Sequence, residues 1–305
     1  MSRRILLSTL LCLATPAHAL VGGALDANLA SSPFAGAGAV IVNGGTFSGV
    51  LLDPWHVLTA AHVVAGRPAA AIQFRLNAGA AETLSAAAVT VHPGYAGTTP
   101  GSDGVWHDDL AIVRLAAPAT SASGYPLYTG PAAGQTIALA GYGGTGDGSA
   151  GVTAAASPGL KRSGQNRVDL VLPDDDGSGA DEVFIFDFDG PTAASNVFGA
   201  AAPANLTLGA NLEAQFAGGD SGSPVFINDN GIWKIFGVAN FNGSTTGLPG
   251  SNVLFGSVGG GSLVAPYAGW IAQTVTTPVP EADTWAMLLA GLGVVSRAAA
   301  RRRRI

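Results

Sequence analysis

The chain has 305 residues, a formal charge of −6, 11% charged residues and one cysteine. Half of its basic residues sit at the two ends (Arg3, Arg4, Arg297 and Arg301 to Arg304); between Leu20 and Thr277 seven basic residues face eighteen acidic ones, about −11. Such a body argues against nucleic acid as a partner and suits a soluble, exported protein.

Residues 1–19 read as a signal peptide. Met1 to Arg4 is a basic start, and Ile5 to Ala14 is an apolar run too short to span a bilayer. Ala17-His18-Ala19 then supplies the small residues that signal peptidase needs. The single cysteine, Cys12, lies inside this segment. From Leu20 onward the fold therefore has no disulfide and rests on its core.

Beyond Leu20, short β-branched and apolar runs alternate with Gly, Pro, Asn and Asp. Strands are predicted at 40–42, 48–52, 71–76, 88–91, 111–115, 136–140, 167–172, 183–188, 225–227, 233–239 and 253–255. This spacing predicts an all-β sandwich or barrel. A single helix is predicted at 263–275, with Tyr267, Trp270 and Ile271 on one face. "GGTGDGSAG" (143–151) and "PDDDGSGADE" (173–182) read as loops. The first contains a formal G-x-G-x-x-G, but no helical pattern follows it, so it is not a dinucleotide site. The second crowds Asp174, Asp175, Asp176 and Asp181 without the spacing of an EF-hand, and reads as solvated.

Residues 276–280 form a stiff linker, and 281–305 a tail. The tail carries a Pro-Glu start, an apolar run from Trp285 to Val295 and four closing arginines. It resembles the PEP-CTERM sorting signal of Gram-negative bacteria, with Ala282 where that signal has a second proline. The resemblance implies export, transient anchoring of the apolar helix in the inner membrane, handling by the sorting machinery, and release or attachment at the cell surface or matrix. A plain tail anchor is the alternative.

Three segments supply the parts of an activated serine. "TAAHV" (59–63) brings His62, "HDDLAIVRL" (107–115) brings a carboxylate ahead of an apolar strand, and "GGDSGSP" (218–224) brings Ser221 in a glycine-rich turn. A serine hydroxyl needs a base, the base needs an acceptor on its other nitrogen, and the oxyanion needs backbone donors. The other histidines carry less: His56 and His107 read as surface or loop residues, and His92 as a turn residue.

The order His, Asp, Ser in these segments resembles the trypsin/chymotrypsin family of serine peptidases. "LVGG" (20–23), "GVLL" (49–52), "HPGY" (92–95), "AGYG" (140–143) and Tyr267-x-x-Trp270-Ile271 fit the same family. Departures are the missing cysteines, Ser223 in place of a glycine, and a long segment between Gly143 and Glu213. The resemblance implies two six-stranded antiparallel β-barrels, at about 20–128 and 129–262, with the 263–275 helix behind them and the site in the cleft between. His62 would be the general base, Asp109 its orienter, and Ser221 the nucleophile. Asp108 is the rival to Asp109 and reads as its solvated neighbour. The N–H groups of Gly219 and Ser221 would form the oxyanion hole. Gln215 would floor the primary pocket beside Phe216, and Asn240, Phe241 and Asn242 would line it. A neutral floor argues against cleavage after Arg or Lys.

These parts imply a monomeric endopeptidase of peptide or protein substrates that needs no cofactor or catalytic metal. An esterase on the same fold and a catalytically silent binding module are the alternatives. Signal peptidase has a second role in this reading. Cleavage after Ala19 would free Leu20, whose ammonium would pair with Asp220.

Overall fold

The computed structural model describes residues 20–101, 104–199, 206–244 and 253–277. The expected signal peptide and sorting tail lie outside the described residues. Among the described residues no helix is long and apolar enough to cross a membrane.

The first half runs β1 (Ala24–Leu25), β2 (Ala37–Val42), β3 (Gly45–Asp53), β4 (His56–Thr59), α1 (Ala61–Val64), β5 (Ile72–Ala78), β6 (Ala80–Val91) and β7 (Ala111–Leu115). All but β1 and α1 close a six-stranded antiparallel barrel in the order β2-β3-β4-β7-β6-β5. Asn43 and Gly44 join β2 to β3 with φ of 50° and 81°. Two positive φ values make the tight turn whose twist matches the flanking strands.

The second half adds β8 (Thr136–Gly141), β9 (Thr145–Asp147), β10 (Gly151–Ala154), β11 (Arg162–Arg167), β12 (Leu170–Pro173), β13 (Asp181–Asp187), β14 (Pro224–Asp229), β15 (Ile232–Ser244) and β16 (Ser257–Leu263). Apart from the small β9–β10 hairpin, these form one eight-stranded sheet in the order β1-β11-β8-β14-β15-β16-β13-β12. It wraps a core of Ile137, Leu139, Phe184, Phe186, Val225 and Phe236, which also takes in Leu20, with smaller apolar clusters around Phe188 and around Val183. Helix α2 (Ala268–Thr276) follows, and the chain divides into two compact units at Gly269/Trp270.

Several expectations need correction. The residues 253–255 are loop; the strand lies at β16, "SVGGGSL". Its glycines hid it, because they have no strand propensity. They are required there by the Phe184 carbonyl, the Phe241 ring and the Val238 carbonyl, which occupy the Cβ positions. The single strand expected at 167–172 is two, broken at Val168-Asp169, and Leu263 ends a strand rather than starting the helix. "GGTGDGSAG" turns through the β9–β10 hairpin. Residues 20–25, expected in the N-terminal barrel, pair instead with the other half: Val21 bridges Gln215, and Ala24 faces Ser163.

Phe236 is 1% exposed, with its ring centroid 5.4 Å from Phe184. Phe236→Ala should lower the unfolding free energy by about 3–5 kcal/mol. Urea denaturation followed by tryptophan fluorescence measures this.

Candidate active site

His62 sits on the single turn of α1, directly after β4. Asp109 sits just before β7, which pairs with β4. The Asp109 carboxylate therefore reaches under the histidine. Its Oδ1 accepts the His62 backbone N–H at 2.8 Å, and its Oδ2 lies 2.6 Å from His62 Nδ1. The Asp109 side chain is 2% exposed and that of His62 22%. With Nδ1–H donating to the carboxylate, Nε2 is left as the acceptor.

Ser221 comes from the other half. A cavity of roughly 300 Å³ is lined by His62, Asp109 and Ser221 together with Phe216, Asn240, Phe241 and Asn242. Asn240 is the extra residue where the β15–β16 register shifts, and such bulges re-aim neighbouring side chains. The Asn240 amide bonds the Ser262 hydroxyl at 2.8 Å, and Asn242 Nδ2 donates to the Phe216 carbonyl at 2.7 Å. Trp106, tilted against Phe241 at 5.7 Å between centroids, adds a wall that sequence reasoning missed. Gln215 is fully buried: its Nε2 donates to the Ser257 carbonyl and its Oε1 accepts the Phe216 N–H.

The turn before Ser221 is held in one orientation. The Gly218 carbonyl accepts the Gly144 N–H at 2.9 Å. In a trans peptide the following N–H, that of Gly219, points the opposite way. Gly219 has φ of +97°, and a Cβ there would lie 2.6 Å from that of Ala156, so only glycine fits. Among the described residues, neither the Gly219 nor the Ser221 N–H donates to another group.

Ser48 fixes this turn from the opposite barrel, and no motif pointed to it. Its N–H donates to the Ser221 carbonyl at 2.9 Å and its hydroxyl to the Gly219 carbonyl at 3.1 Å. The Tyr142 N–H donates back to the same hydroxyl at 3.1 Å.

Asp220 lies beneath the turn, wholly buried. It accepts the N–H groups of Gly143 and Ala217, both at 2.9 Å, and contacts the Ser223 hydroxyl. Burial nonetheless pushes its carboxyl up to about 7, against the pull of these donors and of the Arg162 charge. Arg162 pairs with Gly141 across β11 and β8, and the Asp220 carboxylate fills the space where a Gly141 side chain would start. Facing side chains on an antiparallel pair share one side of the sheet. The Arg162 charge thus acts on the Asp220 carboxylate beneath the turn. Leu20 is fully buried, with its side chain in the second core.

The neighbours of Asp109 are less exposed than the sequence suggested. Asp108 is buried, with φ of 56°, and pairs with His92 Nδ1 at 2.9 Å rather than with water. Burial raises its carboxyl, partly offset by Tyr267 and His92. His107 is buried against Glu182, and His56 is held by Asp53 at 2.8 Å; neither is a free surface residue. Glu182 anchors three groups: His107, the Asp108 N–H at 2.8 Å, and the Tyr267 hydroxyl. It closes a loop whose Asp175, Asp176 and Asp181 are exposed as expected, while Asp174 is half-buried and accepts the Ser178 N–H at 2.9 Å. Nothing local distinguishes Glu182 from them, because its partners lie about 75 residues away on either side.

The Trypsin family model matches residues 23–169, a span that includes His62 and Asp109 and stops short of Ser221. A PEP-CTERM protein-sorting motif matches residues 278–304. No curated protein matches the chain. The PEP-CTERM motif indicates export and surface sorting in a Gram-negative bacterium. The closed barrel and the second β body make a chymotrypsin-like fold, and the chain is similar to the Trypsin family over residues 23–169 and to the PEP-CTERM sorting motif over residues 278–304.

Proposed function

We propose that the protein is an exported serine endopeptidase. The observation that supports this most is the buried Asp109–His62 pair opening onto the cavity that Ser221 lines. In this reading Ser221 Oγ attacks the scissile carbonyl carbon and His62 Nε2 takes its proton. The N–H groups of Gly219 and Ser221 hold the oxyanion. His62 then gives the proton to the leaving amine, and the acyl group stays on Ser221. Water, deprotonated by His62, attacks the ester and frees the acid. Asp109 stays ionised and stabilises the imidazolium. The cavity walls combine the apolar Phe216, Ala217, Ala239, Phe241 and Trp106 with the uncharged Thr98, Asn240 and Asn242, and its carboxylates, Asp109 and Asp220, are both buried. Its preferred substrate residue before the cut is therefore uncharged and apolar.

Ser221→Ala and His62→Ala should each lower kcat/KM on a peptide substrate by several orders of magnitude while the fold survives. Circular dichroism checks the fold, and sulfonyl fluoride should label the wild type at Ser221 but leave the Ser221→Ala variant unlabelled. Labelling with ester hydrolysis but no peptide cleavage would favour the esterase. No labelling of folded wild type would favour a silent binding module.

Ser48→Ala leaves the buried Tyr142 N–H and the Gly219 carbonyl each without a partner. It should cost about 1–3 kcal/mol of stability. It should also lower kcat more than it raises KM, because the turn it loosens acts on the oxyanion. Denaturation and steady-state kinetics together read the two effects.

We also propose that signal peptidase is the activator. Cleavage after Ala19 would free the Leu20 ammonium, which would pair with the buried Asp220 and order the turn at Gly219. The amine's folded pKa would then be raised above its free value of about 7.7–8. Its contribution would be full below that value and lost as pH rises through the raised one. The field of Arg162 on Asp220 favours a second reading, in which the side chain already supplies the positive charge. One preparation would start at Leu20 and another carry one extra residue. A large gain for free Leu20, lost in alkali, supports the amine. Equal activities, with loss on Arg162→Met, support the guanidinium.

A further inference from the structure

Three carboxylates away from that cavity carry a second site. Asp187 ends β13, Asp189 follows it, and Glu213 opens the segment that leads to Gln215. All three are buried, and one oxygen of each lies within 4.8 Å of the others. Two of them are partly satisfied by backbone. Asp187 Oδ2 accepts the N–H groups of Val197 and Phe198 at 2.6 and 3.2 Å. Glu213 accepts those of Asp189 and Leu208 at 2.8 and 2.9 Å.

Asp189 differs. It is 3% exposed, and neither of its oxygens accepts a hydrogen bond. The Thr207 hydroxyl is near enough to favour its charged form but completes no bond. Asp169 adds a fourth acid beside the group, its Oδ2 accepting the Asp187 N–H at 3.0 Å. Among the described residues no Lys, Arg or His forms an ion pair with any of the four. Buried carboxylates without a partner are costly, so something must neutralise them.

We infer that Asp187, Asp189 and Glu213 bind one divalent cation of the calcium type. The donors are all hard carboxylate oxygens, with no imidazole or thiolate to favour zinc or copper. Oxygens around one calcium at about 2.3–2.6 Å sit up to about 5 Å apart, whereas around magnesium at about 2.0–2.1 Å they sit within about 4.2 Å. The three oxygens lie within 4.8 Å of one another, a separation that one calcium ion can bridge. The cation ties the end of β13 to the start of the stretch that bridges Val21 through Gln215 and walls the cavity with Phe216. In a chain with no disulfide after Leu20, it acts as a cross-link between segments about 25 residues apart.

The inference does not depend on the peptidase reading, because its test reads binding and melting. Full-length protein, stripped with EDTA, is titrated with calcium chloride by isothermal calorimetry and melted with 1 mM calcium or with EDTA. One bound equivalent is expected, with a melting temperature about 5 °C or more higher in calcium and a smaller shift in magnesium. Asp189→Asn keeps the shape and removes the charge, and should weaken calcium binding at least about tenfold. Glu213→Gln serves the same purpose if Asp189→Asn does not fold. Asp175→Asn, on the exposed loop, should bind as wild type does. Absent heat and an unchanged melting temperature in the wild type would overturn the inference and leave protons as the neutralising partner. Binding that survives both buried variants and is lost in Asp175→Asn would overturn it too, by placing the ion in the exposed loop.

Discussion

The structure depends on a short polar seam where Ser48 of one β body meets the Gly219–Ser221 turn of the other. Four hydrogen bonds meet there: from the Ser48 N–H and hydroxyl to the turn, from the Tyr142 N–H to Ser48, and from the Thr59 hydroxyl to the Ser48 carbonyl. Ser48, Thr59 and Tyr142 are buried, so their unmade bonds would carry a desolvation cost. His62 and Asp109 belong to one side of this seam and Ser221 to the other. A slip of about an ångström across it would move His62 away from Ser221 while leaving both cores intact. Hydrophobic packing holds each body, but it has no direction; the seam supplies the direction.

The same economy of polar contacts recurs where a secreted chain would often carry a disulfide. Lys161 is fully buried, donates to the Phe34 carbonyl at 2.8 Å and stands 3.6 Å from Asp26. Burial lowers its pKa and the Asp26 charge opposes that shift. Asp26 in turn accepts the Asn28 N–H and the Ser32 hydroxyl, so one ion pair organises the chain's path into the first barrel. Glu182 does the same for the segment that presents Asp109. The Lys161 and Glu182 contacts join residues 74 to 135 positions apart, the separations a disulfide would otherwise close.

What could be read in the sequence follows from this. His62 and Asp109 were legible because each lies beside an apolar strand with its chemical type exposed in a short motif. Ser221 was legible because glycines crowd it. Most strands of the first barrel were legible because one face of each is buried and β-branched residues mark it. β16 was not, since three neighbouring backbones and rings demand glycine there and erase the strand signal. Ser48 and Glu182 look like ordinary polar residues along the chain. Their roles come from partners that only the fold brings near, and no local pattern encodes such pairs. The match to the Trypsin family model ends at residue 169, where the chain enters the part that local reasoning also read worst.

β1 and Val21 lie at the start of the folded chain, yet their partners, Ser163, Arg162 and Gln215, come about 140 to 195 residues later. The N-terminal barrel can close without them, since its six strands are contiguous between Ala37 and Leu115. The second body cannot. Chain order therefore acts as a timer: the first residues to emerge on export wait until almost the whole domain has followed. Long-range pairings of this kind form late because loop closure must precede their reward. While the chain is still crossing, Ser221 has no finished turn around it, and the cell that makes the protein meets only an unassembled site.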